Sequence, residues 1–157
     1  MGKLDLKYYV TNDKLCIDSA MNATLVEVFP WLNMHGMYVS DNEEDYTWTW
    51  LNEIPDGWRK AFGWNLISEI NKIYFSIAPQ LREDYYPLDI KEKYGALRIY
   101  FSVYNPSIES IIEKYSKISE KTCICCGAPA TKLSKGWISP WCDECFNKEV
   151  GGDFYSI

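Results

Sequence analysis

A chain of 157 residues with 47% hydrophobic content is long enough to bury a core, which excludes a wholly disordered polypeptide and makes one compact domain with a small appended module the expected organisation. A formal charge of -6 excludes the overall basic footprint of a protein that grips a nucleic-acid backbone. The charge is uneven, however: residues 1–57 carry three Lys against ten Asp or Glu, whereas 58–122 carry ten Lys or Arg against eight acids, so a local basic patch stays open.

The opening decapeptide MGKLDLKYYV has no apolar run of the length a secretion signal needs, and no later stretch approaches a membrane span, so work in a reducing cytoplasm is expected. LDLKYYVTNDKLCIDSA reads as two short extended pieces around a TND turn. ATLVEVFPWL follows as a short helix broken near Pro30, because proline removes an internal hydrogen bond and crowds the preceding turn. Val39 to Asp56 reads as a loop that sets acids beside Trp48 and Trp50. From Asp56, placed as a capping residue, Phe62, Leu66, Ile70 and Ile73 recur as one buried stripe of a helix that runs to about Ile77.

LDIKEKYGALRIYFSVY carries the strongest strand pattern: Leu97, Ile99, Phe101 and Val103 alternate with Arg98, Tyr100 and Ser102, and Tyr94-Gly95 offers a hairpin turn. Asn105-Pro106 then starts a helix with a capping side chain and a residue that has no amide hydrogen to leave unpaired. Ile108, Ile111, Ile112, Tyr115 and Ile118 supply its apolar face, and Glu113 with Lys117 makes a favourable pair. The fold class is therefore α+β: a small antiparallel sheet with packed helices over residues 1–121, and a cysteine module over 122–157 packed on it.

Cys123 and Cys126 are separated by two residues, as are Cys142 and Cys145, with fifteen residues between the pairs. That spacing lets two tight turns present four thiolates to one tetrahedral ion, and zinc, one per chain, is the natural occupant. An iron-sulfur centre and oxidised cysteines are the alternatives, and Cys125 blurs the register as a substitute ligand. Gly127 suits a turn that needs positive φ after the second ligand. Four thiolates close the coordination shell, so the expected role is structural. Cys16 and Cys125 read as free thiols, and His35, the sole histidine, has no catalytic motif around it.

The run IKEKYGALRIYFS, a helix, and then CICCGAPATKLSKGWISPWCDEC together resemble an uncharacterised family of small bacterial and phage or prophage proteins, in which a K-x-K-[FY]-G-x-L-R-x-Y strand precedes a four-cysteine zinc ribbon. Lys91, Lys93, Tyr94, Gly95, Leu97, Arg98 and Tyr100 carry the first motif, and PDGWRKAFGWNLISEI is similar to the family's Gly-Trp helix start. The resemblance covers about residues 55 to 146. It implies a phage context, in which small accessory proteins block host defences, rather than a chemistry.

On strand parity, Lys91 and Lys93 share one face and Arg98 and Tyr100 share another that a hairpin would bring alongside, which makes a local anion site on an acidic protein. The expected function is non-enzymatic capture of a small anionic, nucleotide-like ligand such as a host immune signal, with no long nucleic acid and no membrane as partner. The competing explanation is that these charges only keep the sheet's outer face hydrated. The alternative function is an adaptor or inhibitor that docks on a host protein through Trp48 and Trp50. A hydrolase has the least support, since the chain holds no phosphate-binding Gly-rich loop, no Gly-x-Ser-x-Gly elbow and no His-Glu-x-x-His motif.

Overall fold

The computed structural model describes residues 10–11, 14–15, 19–33 and 49–157 of the chain. Cys16, His35, Trp48 and the acidic run of 41–45 lie outside the described residues. The architecture is α+β, with helices around small antiparallel sheets and a ribbon-like C-terminal module built on four cysteines. No helix among the described residues is long and apolar enough to cross a membrane.

Strands β1 (Val10–Thr11) and β2 (Lys14–Leu15) form the expected minimal hairpin. Helix α1 (Ser19–Val28) begins four residues earlier than the apolar pattern implied, and Pro30 opens a single 3-10 turn after it. The segment read as loop up to Asp56 contains a short helix, α2 (Trp50–Glu53). A buried polar network makes that helix possible: Thr49 Oγ1 donates to Asn22 Oδ1 at 3.1 Å, Asn22 Nδ2 donates to Asn52 Oδ1 at 3.1 Å, and Thr49 N donates to the same oxygen at 2.9 Å. Asn22 and Thr49 are fully buried, so the bonds offset a desolvation cost that either side chain would otherwise bear alone.

The next helix is continuous but not uniform. It starts as α3 (Asp56–Trp58), widens into a π turn over Arg59–Gly63, and continues as α4 (Trp64–Ser76). Asp56 does not cap it, contrary to expectation: the cap position is Pro55, and Asp56 instead pairs with Arg59. The buried Arg59 guanidinium also donates to the carbonyls of Leu51 and Asn52 at 3.3 and 3.2 Å, tying down the end of α2. Gly63 leaves room for the Arg59 stem, since a Cβ there would lie 3.2 Å from Arg59 Cγ. Phe62, Leu66 and Ile70 are buried as the stripe required, and Ile73 is half-buried. Arg82 closes the far end by donating to the carbonyls of Ile77 and Phe75.

Strands β3 (Pro87–Lys93) and β4 (Ala96–Phe101) pair antiparallel, with Lys91 opposite Arg98 and Ile90 opposite Ile99. Tyr94 and Gly95 make the turn at φ 53° and 83°, the mirror-image turn that matches the strands' twist. A register shift lies between Pro87 and Asp89, and Leu88 is exposed while Ile90 is buried. Helix α5 (Pro106–Ser119) is capped as expected, Asn105 Oδ1 accepting from Ser107 N at 2.9 Å and Ile108 N at 3.1 Å. It buries Ile108, Ile112 and Tyr115, leaves Ile118 exposed, and covers the free edge of β4, where Leu97 N donates to Ser119 Oγ at 2.8 Å.

Candidate metal centre and binding face

The C-terminal module consists of β5 (Lys132–Ser134), β6 (Pro140–Trp141), α6 (Asp143–Glu149) and β7 (Phe154–Ser156), with strand order β6-β5-β7. The β5–β6 hairpin closes the fifteen-residue gap between the cysteine pairs, and β7 adds an edge strand from a stretch whose sequence carried no strand reading.

The sulfurs of Cys123, Cys126, Cys142 and Cys145 all lie within 4.8 Å of one another, and those of Cys126 and Cys142 are 3.6 Å apart. Four thiolates around a tetrahedral ion with metal–sulfur bonds of about 2.3 Å sit about 3.8 Å from each other, so the cluster can hold a metal ion. Cys125 is not one of the four. Each knuckle aims amides at its sulfurs: Ala128 N is 3.5 Å from Cys126 Sγ, and Cys145 N is 3.4 Å from Cys142 Sγ at the start of α6. Burial pushes the Cys123 thiol up, yet the backbone amides around it outweigh burial and leave it lowered, while burial and the neighbouring thiols hold Cys145 up. A bound cation would remove that opposition by stabilising every thiolate at once.

The first knuckle is seated directly on the start of α3. Gly57 N donates to Ile124 O at 2.9 Å, and the fully buried Trp58 donates its indole N–H to Thr122 O at 2.8 Å. Two glycines permit the approach: a Cβ on Gly57 would lie 2.2 Å from Cys123 O, and one on Gly127, which turns at φ 82°, would lie 2.6 Å from Gly57 O. Read as sequence, Gly57-Trp58 marks only a helix start; folded, it is the dock for the metal knuckle.

A second contact ties the module to the sheet. A Cβ on Gly95 would meet Leu133 Cδ1 at 3.4 Å and Ile138 Cγ2 at 3.5 Å, so the tip of the β3–β4 hairpin rests on the ribbon hairpin. Beside this contact, Lys93, Tyr94, Trp137 and Ile138 line a cleft of about 290 Å3.

Strand pairing brings Lys91, Lys93, Arg98 and Tyr100 to one outward face, as parity implied. Lys91 is held by Asp89 at 2.7 Å, a contact that raises its pKa, and its Nζ lies 5.7 Å from the Tyr100 ring centre. Arg98 Nη1 donates to Ser116 Oγ of α5 at 3.1 Å. Arg98 and Tyr100 also border an open groove of about 650 Å3 between β4 and α5, whose α5 wall carries Glu109 and Glu113; Glu113 is paired with Lys117 at 2.8 Å. Trp50 is 5% exposed and belongs to the core, so it offers no ring for docking a partner.

Comparison with family models, with curated proteins and with solved structures yields no match.

Proposed function

We propose that this chain is a non-catalytic protein stapled by one structural zinc ion, and that the outward face of its β3–β4 hairpin captures a small anionic, nucleotide-like ligand. The observation that carries the ligand reading is the cross-strand pair Lys91–Arg98 with Lys93 and Tyr100 beside it on the same face. Asp89 offsets one of the three cations, which leaves an excess of positive charge on a chain whose total is -6. Such a face attracts a compact phosphate, and the remaining charge disfavours a long polyanion. The guanidinium of Arg98 suits a bidentate grip on phosphate, and the tyrosine supplies a flat neighbour. Zinc is favoured by an all-thiolate set of four, which leaves no open position for a water or substrate and hence no catalytic role for the ion.

Native mass spectrometry and a calorimetric titration with inorganic pyrophosphate test the two parts separately. The expected result is one zinc per chain and pyrophosphate binding that Lys93→Ala or Arg98→Ala abolishes while the zinc mass and melting temperature hold. A chain that binds no pyrophosphate, or binds it equally well in both variants, overturns the ligand reading; a chain without zinc overturns the staple.

A further inference from the structure

The cleft between the two hairpin tips joins the charged face at Lys93 and carries two large aromatic rings that the fold itself does not use. Tyr94 is 76% exposed and Trp137 is 80% exposed. Single exposed rings are ordinary, but two that line one cleft are the usual equipment of a site that stacks a planar group.

Tyr94 has a backbone reason to be something else. It occupies the first turn position at φ 53°, where Asn, Asp or Gly is the natural choice and a bulky side chain is strained by about 1 kcal/mol or more. Its ring contributes little to the core in return, so its presence is explained by a contact made outside the fold. Trp137, opposite, sits in a turn fixed from within: buried Ser134 donates its hydroxyl to Trp137 O at 2.6 Å and accepts from Ser139 N at 3.0 Å, after Gly136 turns at φ 79°. The backbone that carries Trp137 is thereby held in place.

Charge selects the occupant. Glu92 also lines the cleft and keeps its negative charge, its carboxylate turned to accept from Gly95 N at 2.7 Å, while the Lys93 ammonium, 5.7 Å from the Tyr94 ring centre, is the cation at the rim. Lys93 is also the first cation of the face that continues through Lys91 and Arg98. From this we infer that the Tyr94–Trp137 cleft is the base-binding subsite of the nucleotide-like ligand, with its phosphates on Lys93 and the adjoining strand face. A volume of about 290 Å3 suits one ring system and not a duplex. The inference rests on the ligand reading above and extends it from a phosphate to a nucleotide.

Calorimetric titrations with the four ribonucleoside 5′-diphosphates, set against pyrophosphate, separate the two. At least one diphosphate is expected to bind more tightly than pyrophosphate, and Trp137→Ala or Tyr94→Asn is expected to erase that difference, a loss of about tenfold to a hundredfold, with pyrophosphate binding unchanged. Asn suits the turn, so Tyr94→Asn keeps the hairpin, and melting curves verify that both variants fold. Pyrophosphate binding with no gain from any base, or a gain that survives both substitutions, overturns the cleft assignment and leaves the phosphate face standing. Loss of pyrophosphate binding itself removes both. A twelve-nucleotide single-stranded RNA that binds more tightly than every diphosphate, with a steep salt dependence, overturns the inference in favour of a nucleic-acid strand.

Discussion

Gly57→Ala is the sharpest probe of how the metal module is held. Gly57 has a right-handed helical backbone, so alanine there meets no conformational penalty and, in an isolated helix, would even be favoured. Space decides instead: the new Cβ lies 2.2 Å from Cys123 O and 2.6 Å from both Ile124 C and Ile124 O, all backbone atoms that cannot rotate aside. Restoring ordinary contact requires the knuckle and the helix start to part by about 1 Å, which carries both Gly57 N→Ile124 O and Trp58 Nε1→Thr122 O out of hydrogen-bond range. Two buried groups left unpaired cost about 1–3 kcal/mol each, so the expected loss is about 2–6 kcal/mol from a total of about 5–15. Urea unfolding of the zinc-loaded protein, followed by tryptophan fluorescence, reads that loss, and a competing chelator reads a matching drop in metal affinity. Gly136→Ala is the control: nothing lies within 4 Å of its Cβ, so only the strain of φ 79° remains, about 1–2 kcal/mol, with metal affinity unchanged. If Gly57→Ala unfolds within about 0.5 kcal/mol of the parent, as an ordinary surface substitution does, the docking argument is wrong.

Cys126→Ser is expected to abolish stoichiometric zinc binding while Cys125→Ser keeps it, because only Cys126 belongs to the converging four; a zinc titration with a colorimetric chelator checks both. Glu69 gives a pH signature: hydrogen bonds from Lys114, at 2.6 Å, and then from Tyr115 hold its pKa below the ordinary 4.5. A carboxylate depressed in the folded state contributes stability that is fully present above its unfolded pKa and lost as pH falls through the folded value, so Glu69→Gln is expected to lower stability near pH 7 and to flatten the decline below about pH 5 in a series of thermal melts. An acid limb identical in the two proteins would place the loss elsewhere.

The elements legible in the sequence are those whose signal is local. Asn105-Pro106 announces α5 because the cap and the proline act within one turn, and Tyr94-Gly95 announces the hairpin because the turn geometry is set by two residues. The cysteine spacing reads as a metal cluster because each pair needs only a single tight knuckle. What escaped was decided by distant partners. Asp56 has the chemistry of a cap, but a buried arginine three residues on competes for it and wins by also satisfying Leu51 O and Asn52 O. Trp50 sits in an acidic, loop-like stretch, and its burial comes from tertiary packing that local composition cannot report. The aromatic cleft joins residues 94 and 137 from two hairpins, so neither tip identifies it alone.

These long-range contacts give the metal cluster a consequence beyond its own fold. One wall of the cleft, Trp137, belongs to the ribbon, and the other, Tyr94, belongs to the sheet. Their separation is fixed at two places: the Gly57–Gly127 dock beneath the first knuckle and the rest of Gly95 on Leu133 and Ile138. The second contact is small and apolar, and alone it would hold the ribbon weakly. The first depends on a knuckle whose two sulfurs, of Cys123 and Cys126, converge with those of Cys142 and Cys145, an arrangement that a cation would lock by stabilising all four as thiolates. An ion held by the four cysteines would therefore govern the geometry of the cleft from a distance, through Cys123 and Ile124 to the helix start, and through β5 and β6 to the turn that carries Trp137.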